Sequence, residues 1–536
     1  MSTVTAPSPP APPPPGPPGP IPEIRIPARF QRIPGRLALG VGMAILIGLS
    51  LFLRTKYIDG QFWDDEGLSV GIASHSLSAI PGVLRHDGSP PLYYLLLHVW
   101  MQVFGSSGIE THAMSDLFSM LAIPVGTWAG WSLWGRRAGL FAAVLFATSS
   151  FLTYYGQETR MYSLMALLGI MAAAGFIHAF VYRRRRYLVL FAVAISLMLY
   201  THAWGLFFWA GSAIALMPVW FTTDDRKGLV RDAAIAFIGA GVLFLPWTAN
   251  FIYQATHTGA PWDSAPRFGA PVQLSRDLLG GDRITAVLVL GAGIGLAALF
   301  TRRYRRTPEA TAMFTMAVMV VATLALAWVA SQVTPAWVSR YFAPILGPML
   351  LLAALGLSRA GVAGALAIVL SVLFLVNPAS YIPKYKSDLR DVGGEMATLV
   401  HPGDLVISGQ PDQIAATWYY LPGGLRWAST IGPVADPRYM NWVDALKHLQ
   451  HAGPHATFTS LVDSVPVGHQ ILFVRPLTEG AANWKAPWTQ LVRRRSAQWG
   501  ALFAADTHLQ PVAWAPHAYP GATILGDSAE LYKKVS

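Results

Sequence analysis

The sequence predicts an α-helical polytopic membrane protein with about eleven transmembrane helices, followed by a C-terminal extracytoplasmic α/β domain. Three observations carry this reading. First, 53% hydrophobic and only 12% charged residues over 536 positions, with a mean hydropathy of +0.41, are incompatible with an ordinary soluble domain. Second, apolar windows long enough to cross about 30 Å of hydrocarbon recur along the first 380 residues and then stop. Third, basic clusters fall at every second connection, the distribution that orients a chain in a membrane. The net charge of +11 is therefore read as topology and not as nucleic-acid binding. The chain has no cysteine, which excludes a disulfide framework and thiolate metal sites.

Residues 1–36 open with MSTVTAPSPPAPPPPGPPGP. Proline fixes φ and removes backbone donors, so an extended, disordered cytoplasmic tail is expected. Arg25, Arg29, Arg32 and Arg36 precede the run 37–53, which lacks an Ala-x-Ala cleavage site and reads as a retained first helix. Further spans are expected at 116–134, 138–155, 161–180, 187–203, 204–221, 231–247, 284–300, 310–330, 341–357 and 362–380. Arg136-Arg137, Arg183 to Arg186, Arg226 to Arg231, Arg302 to Arg306 and Arg359 mark the cytoplasmic connections if the N-terminus is cytoplasmic. The segment Pro90 to Phe104 has only 15 residues and opens with two prolines. It is expected to lie at the interface or to re-enter, with Tyr93, Tyr94 and Trp100 in an interfacial belt. Residues 37–380 thus form the membrane module, with a first outer loop at 54–115, and residues 381–536 the soluble domain. In that domain Asp404–Ser408 and Gln470–Val474 read as buried strands, whereas Gln413–Leu421 and Pro487–Phe503 carry helical or mixed spacing. No phosphate loop, metal-ligand spacing or nucleophile motif appears there, so an accessory or acceptor-positioning role is expected.

Chemistry-bearing side chains concentrate in the connections expected outside. The first loop holds Asp64, Asp65, Glu66, Arg85, His86 and Asp87; the next holds Tyr154, Tyr155, Gln157, Glu158, Arg160 and Tyr162; later ones hold His202, Arg340 and Tyr341. Three consecutive acids beside a bilayer are costly unless water, a cation or a reacting group uses them. Acids also favour the first turn of a helix, so a solvated helix start is the structural alternative for the triplet. Glu158 and Arg160 could form a structural pair, Arg340 could anchor an interface, and His86 and His202 could be ordinary polar histidines. Arginines that bind an anionic head group and a carboxylate that activates a hydroxyl together need this kind of convergence.

FWDDEGLSV after helix one, DGSPPLYYLLLHVW, YYGQETRMYSLMALL opening a helix and SRYFAPILGP near the end of the membrane part together resemble the GT-C superfamily of membrane glycosyltransferases. The resemblance is to the branch of protein O-mannosyltransferases and lipid A aminoarabinose transferases. It covers residues from roughly 37 to 400, including the tail start DLRDVGGEMATLVHPGDLVIS.

The resemblance implies a polyprenyl-phosphate sugar donor, a hydroxyl-bearing glycan, lipid or protein acceptor, contact with membrane lipids, and a bacterial inner-membrane location. It places the catalytic base on Asp65, with Glu66 following and Asp64 an additional acid that leaves the choice between Asp64 and Asp65 open. It also places Asp87 before Pro-Pro, Gln157 and Glu158 at the cavity, and Arg340 and Tyr341 where donor phosphate binds. Tyr155, Arg160, Tyr162, His86 and His202 are further candidate substrate contacts. Two departures stand out: Ser89 occupies the place of a common His, and His112 that of a common Arg. Displacement of a polyprenyl phosphate from an anomeric carbon passes through an oxocarbenium-like state. An inverting enzyme then needs a carboxylate to take the acceptor proton and Arg160 or Arg340 to hold the phosphate. No cofactor is expected; clustered carboxylates can hold a divalent metal, but no spacing compels one. A transporter or flippase of lipid-linked sugars is the alternative function, although no internal repeat is visible. A non-catalytic scaffold is a third reading.

Overall fold

The computed structural model describes residues 35–300, 307–376, 386–476, 486–516 and 526–536. The expected proline-rich tail up to residue 34 and the basic cluster Arg302 to Arg306 lie outside the described residues, as do positions 377–380 of the last expected span.

The chain begins with α1 (Gly35–Thr55), then α2 (Asp64–Ala73), α3 (Ile80–Asp87) and α4 (Leu92–Phe104) in the first loop, and α5 (Gly108–Trp134). It continues through α6 (Arg136–Ala147), α7 (Ser150–Tyr155), α8 (Tyr162–Phe176), α9 (Tyr187–Thr201), α10 (Gly205–Ile214), α11 (Leu216–Thr222) and α12 (Arg226–His257). The membrane part closes with α13 (Ala270–Leu279), α14 (Asp282–Ala297), α15 (Pro308–Val333), α16 (Ala343–Arg359) and α17 (Gly361–Val376). Among the described residues five helices are long and apolar enough to cross a membrane, or six if the α13–α14 pair, bent by 89°, is one span. Of the other expected windows, 116–134 falls on the long helix α5, which is not among the five, and 187–203 and the described part of 362–380 fall on the shorter α9 and α17. The window 138–155 divides between α6 and α7; 204–221, which is one of the five, is interrupted at Ala215 between α10 and α11.

Burial separates the helices into two roles. The most apolar stretch of α8 is 89% buried and that of the helix ending at Arg359 is 83% buried, whereas those of α12 and α10–α11 are only 33% buried. A helix apolar on all sides and enclosed by others is a core helix. Exposed aliphatic faces such as Val242, Leu245 and Ile252 on α12 suit lipid, since such a patch in water is unfavourable. At the centre α8 and α16 cross closely: a Cβ on Gly169 would lie 2.2 Å from the Pro344 carbonyl oxygen. Small residues permit that approach, and backbone packing without side chains is the membrane route to helix association. In α4, Tyr93 and Tyr94 are fully buried, contrary to the expected interfacial belt. Tyr93 shares a 3.1 Å hydrogen bond with Ser115 Oγ on α5, so the phenol has a partner inside the protein and no need of the interface.

The tail contains α18 (Leu389–Ala397), β1 (Leu405–Ser408), α19 (Ile414–Tyr420), β2 (Arg426–Ser429), β3 (Gly432–Val434), α20 (Ala445–His451), α21 (Pro454–Asp463), β4 (Gln470–Pro476), α22 (Pro487–Ala505), β5 (Leu509–Ala515) and β6 (Asp527–Lys534). Its strands form one sheet of order β3-β2-β1-β4-β6-β5, parallel at β2-β1-β4 and antiparallel elsewhere. Ile407 and Phe473 face a cluster with Trp499 and Phe503, while Val406, Leu472 and Val474 face Leu389, Val392 and Met396. Coverage on both faces explains the continuous apolar runs that read as buried strands. The sheet is larger than the two strands expected, because β2, β5 and β6 are half-polar and β3 is three residues long.

Candidate active site

Asp64, Asp65 and Glu66 form the first turn of α2. Successive residues of a helix point about 100° apart, so the triplet sends its carboxylates to three environments. Asp65, 23% exposed, is held by Arg340 Nη2 at 3.2 Å and lies 3.7 Å from Arg160 Nη2. Arg160 also donates to the Asp65 carbonyl and Ser69 Oγ, each at 3.1 Å. Arg340 Nε donates to Tyr162 OH at 3.0 Å, and its guanidinium lies 5.2 Å from the Trp63 ring centre. Arg160 Nε is buried without a partner among the described residues.

Glu66 points inward and is fully buried. Its carboxylate contacts His112 Nε2 at 2.6 Å, Lys386 Nζ at 2.8 Å and the Thr159 backbone N–H at 2.8 Å. Burial alone raises a carboxyl, but the Lys386 ammonium and the His112 ring outweigh it and hold Glu66 at about 2. Glu66 does not line the cavity, which corrects the expectation that it shares the catalytic position. His112, a departure from the resembled pattern, supplies its inner partner, with Nδ1 2.6 Å from the Ile58 carbonyl. Asp64 turns toward the tail, where Gln410 Nε2 donates to it at 3.1 Å. Burial and then the neighbouring Asp412 and Asp65 push Asp64 well above the ordinary carboxyl range.

These groups border a cavity of about 1080 Å³. Asp64, Asp65, Asp87, Arg160, His202, Arg340 and Tyr341 line it; burial pushes Asp87 up to about 6. His202 Nδ1 accepts from the Trp204 backbone N–H at 3.2 Å, and its ring stands 4.6 Å from that of Tyr341. Tyr162 lies just behind, joined to Arg340, and Tyr155 packs edge-on against Tyr162 at 5.1 Å. Three expected contacts are elsewhere. His86 bonds the Gly82 carbonyl at 3.0 Å on its own helix. Gln157 ties the Tyr57 N–H at 2.8 Å to the Thr153 carbonyl at 2.8 Å. Glu158 is buried, pushed up to about 7 by burial against the pull of Lys386. The sequence reading omitted Lys386, Gln410, Asp412, Trp262 and Trp488, although Gln410 and Asp412 follow a buried strand directly and polar residues there are a signal for a site.

Membrane glycosyltransferases have this fold. The structure of ArnT from Cupriavidus metallidurans in the apo state superposes with a TM-score of 0.61 at 13% identity, covering 92% of this chain and 98% of that one. The same protein bound to undecaprenyl phosphate gives 0.57 at 14% identity, with the same coverage of both chains. The oligosaccharyltransferase of Archaeoglobus fulgidus gives 0.55 at 13% identity over 91% of this chain and 75% of that one; another of its structures is in complex with zinc and sulfate. No family model and no curated protein matches the sequence.

Proposed function

We propose that the protein is a glycosyltransferase that moves a sugar from a polyprenyl-phosphate donor to a hydroxyl acceptor at the outer face of a bacterial inner membrane. The observation that carries this reading is Asp65 held between Arg160 and Arg340 on the wall of a cavity shared by the membrane helices and the tail. The fold likeness to ArnT, one structure of which holds undecaprenyl phosphate, supports the donor class.

In this reading Asp65 removes the proton of the attacking hydroxyl while the bond from the anomeric carbon to the phosphate oxygen breaks. The new glycosidic bond forms on the opposite side of the ring, so configuration inverts. Arg160 and Arg340 take the phosphate as its charge grows, and the unpaired Nε–H of Arg160 is available for that bond. Asp65 is the base in preference to Asp64 because Asp64 is engaged by the tail and faces neither guanidinium. Asp87 borders the same space and orients the acceptor or donor sugar. No group of three or more metal-ligating side chains occurs among the described residues, and the roles assigned here use none.

The purified protein in lipid nanodiscs is given a radiolabelled polyprenyl-phosphate sugar with a hydroxyl acceptor, and release of free polyprenyl phosphate is followed. Turnover that the Asp65→Asn variant lacks, with donor binding retained, supports the proposal. Equal turnover in that variant overturns the assignment.

A further inference from the structure

The cavity has a second wall that the donor chemistry does not use. Asp412 stands there with Gln410, whose amide nitrogen donates to Asp412 Oδ2 at 3.0 Å and to Asp64 Oδ2 at 3.1 Å. Trp488 Nε1 donates to Asp412 Oδ1 at 3.2 Å. Gln410 is only 6% exposed, and its Oε1 is buried with no partner among the described residues. Beside them Trp262, Trp442 and Trp488 pack in a row with ring centres 4.4 and 5.1 Å apart, and Trp262 is the most open of the three.

The wall also occupies a favoured place in the tail fold. Strand β1 lies between β2 and β4, parallel to both, so the chain leaves β1 toward one side of the sheet and later returns on the other. Ligands of open α/β sheets bind outside the carboxyl ends of the strands at such a switch point. Gln410 and Asp412 follow the carboxyl end of β1.

We propose that this wall binds a glycosyl unit of the acceptor, so that the hydroxyl delivered to Asp65 belongs to a carbohydrate. The proposal rests on the transferase reading for the reaction but not for the binding. The wall is rich in acceptor oxygens, with two carboxyls and one unmet amide oxygen, and among the described residues neither Asp64 nor Asp412 has an ion pair. A phosphate finds no cation there. A ring carrying several hydroxyls supplies the missing donors, and its C–H face suits the Trp262 indole. A buried amide oxygen left unmet is costly, so a hydroxyl that reaches it gains the difference. Burial pushes Asp412 up to about 6 and Asp64 well above the ordinary carboxyl range; the pair therefore holds a proton more readily than two free carboxyls, which favours neutral hydroxyls over an ammonium.

The test uses the full chain in nanodiscs without donor. Binding of mannose-, arabinose- and galactose-based neutral disaccharides, a Ser/Thr peptide and an amino-sugar disaccharide is followed by saturation-transfer NMR. At least one neutral disaccharide is expected to bind, and Asp412→Asn and Trp262→Ala to weaken it about tenfold, with Trp262→Phe restoring part of the loss. Lys447→Met, at an exposed position away from the cavity, should bind it as the parent does, and a single cooperative unfolding transition in each variant shows that it folds. The proposal is overturned if no neutral disaccharide binds, if only the peptide or the amino-sugar binds, or if both wall variants bind as the parent does. Saccharide binding without turnover on any donor refutes the transferase reading alone; turnover onto peptide without saccharide binding refutes the wall alone.

Discussion

At the scale of single residues, the two arginines that share Asp65 are not interchangeable with other cations. Arg340 bonds Tyr162 and Asp65 through different nitrogens, a fork that an ammonium cannot reproduce. Arg340→Lys is expected to raise the donor KM about tenfold while leaving the acceptor KM near its starting value, as measured by initial rates. Asp65→Asn is expected to lower kcat by about 100- to 10,000-fold, the usual worth of a positioned base, with donor affinity changed little; a comparable fall in donor affinity would speak for a binding role instead. Asp412 has a distinct pH signature. Its carboxyl is raised from the ordinary aspartate value of 3.8 to about 6, so the folded state binds the proton more tightly than the unfolded chain. That contribution is fully present below pH 3.8 and is lost as pH rises to about 6. Unfolding temperatures of the parent in detergent should decline across that window, and Asp412→Asn should flatten this part of the curve.

At the scale of elements, α2 is the piece on which the site is built. A Cβ on Gly67 would lie 2.4 Å from Ala416 Cα in α19, and one on Gly71 would lie 2.0 Å from the Arg438 carbonyl oxygen. Neither neighbour is a flexible side-chain tip, so Gly67→Ala must push the tail away. Limited proteolysis should then cut between the membrane part and the tail faster than in the parent, and turnover should fall with it. The sequence exposed much of this architecture. Long apolar runs announced the core helices, and short continuous apolar runs announced β1 and β4. What it hid follows from the same physics. Strands such as β5, with exposed Val512 and Trp514, lack a clean period of two, and helix breaks at Thr148 and Ala215 leave an apolar run unbroken. The acid triplet was legible as a site, yet the direction of each acid was not, because that depends on where the helix begins. Lys386 was invisible for another reason: its partner Glu66 is 320 positions away.

At the scale of the whole molecule, the buried Glu66–Lys386–His112 cluster fastens the tail to the membrane part. Removing one member leaves an uncompensated charge in a dry site, which typically costs about 3–5 kcal/mol. Lys386→Met is therefore expected to lower the unfolding temperature markedly and to loosen the tail in hydrogen exchange, whereas the exposed pair Lys447–Asp444 should tolerate the same change. Glu66 is depressed from 4.5 to about 2, so its share of stability is present above pH 4.5 and disappears as pH falls through about 2.

The first turn of α2 also fixes what chemistry can be rearranged by mutation. Because its three neighbouring side chains diverge like spokes, inserting one amino acid just before Trp63 would not merely lengthen a linker. Unless the insertion is absorbed in the preceding coil, it dials every carboxylate round by one position, handing the arginines a different acid and the lysine a different neighbour. Sequence identity at the triplet is thus worth little without registration, and a chimera whose junction inside residues 57–67 shifts the register by one should fail even where every acid is retained.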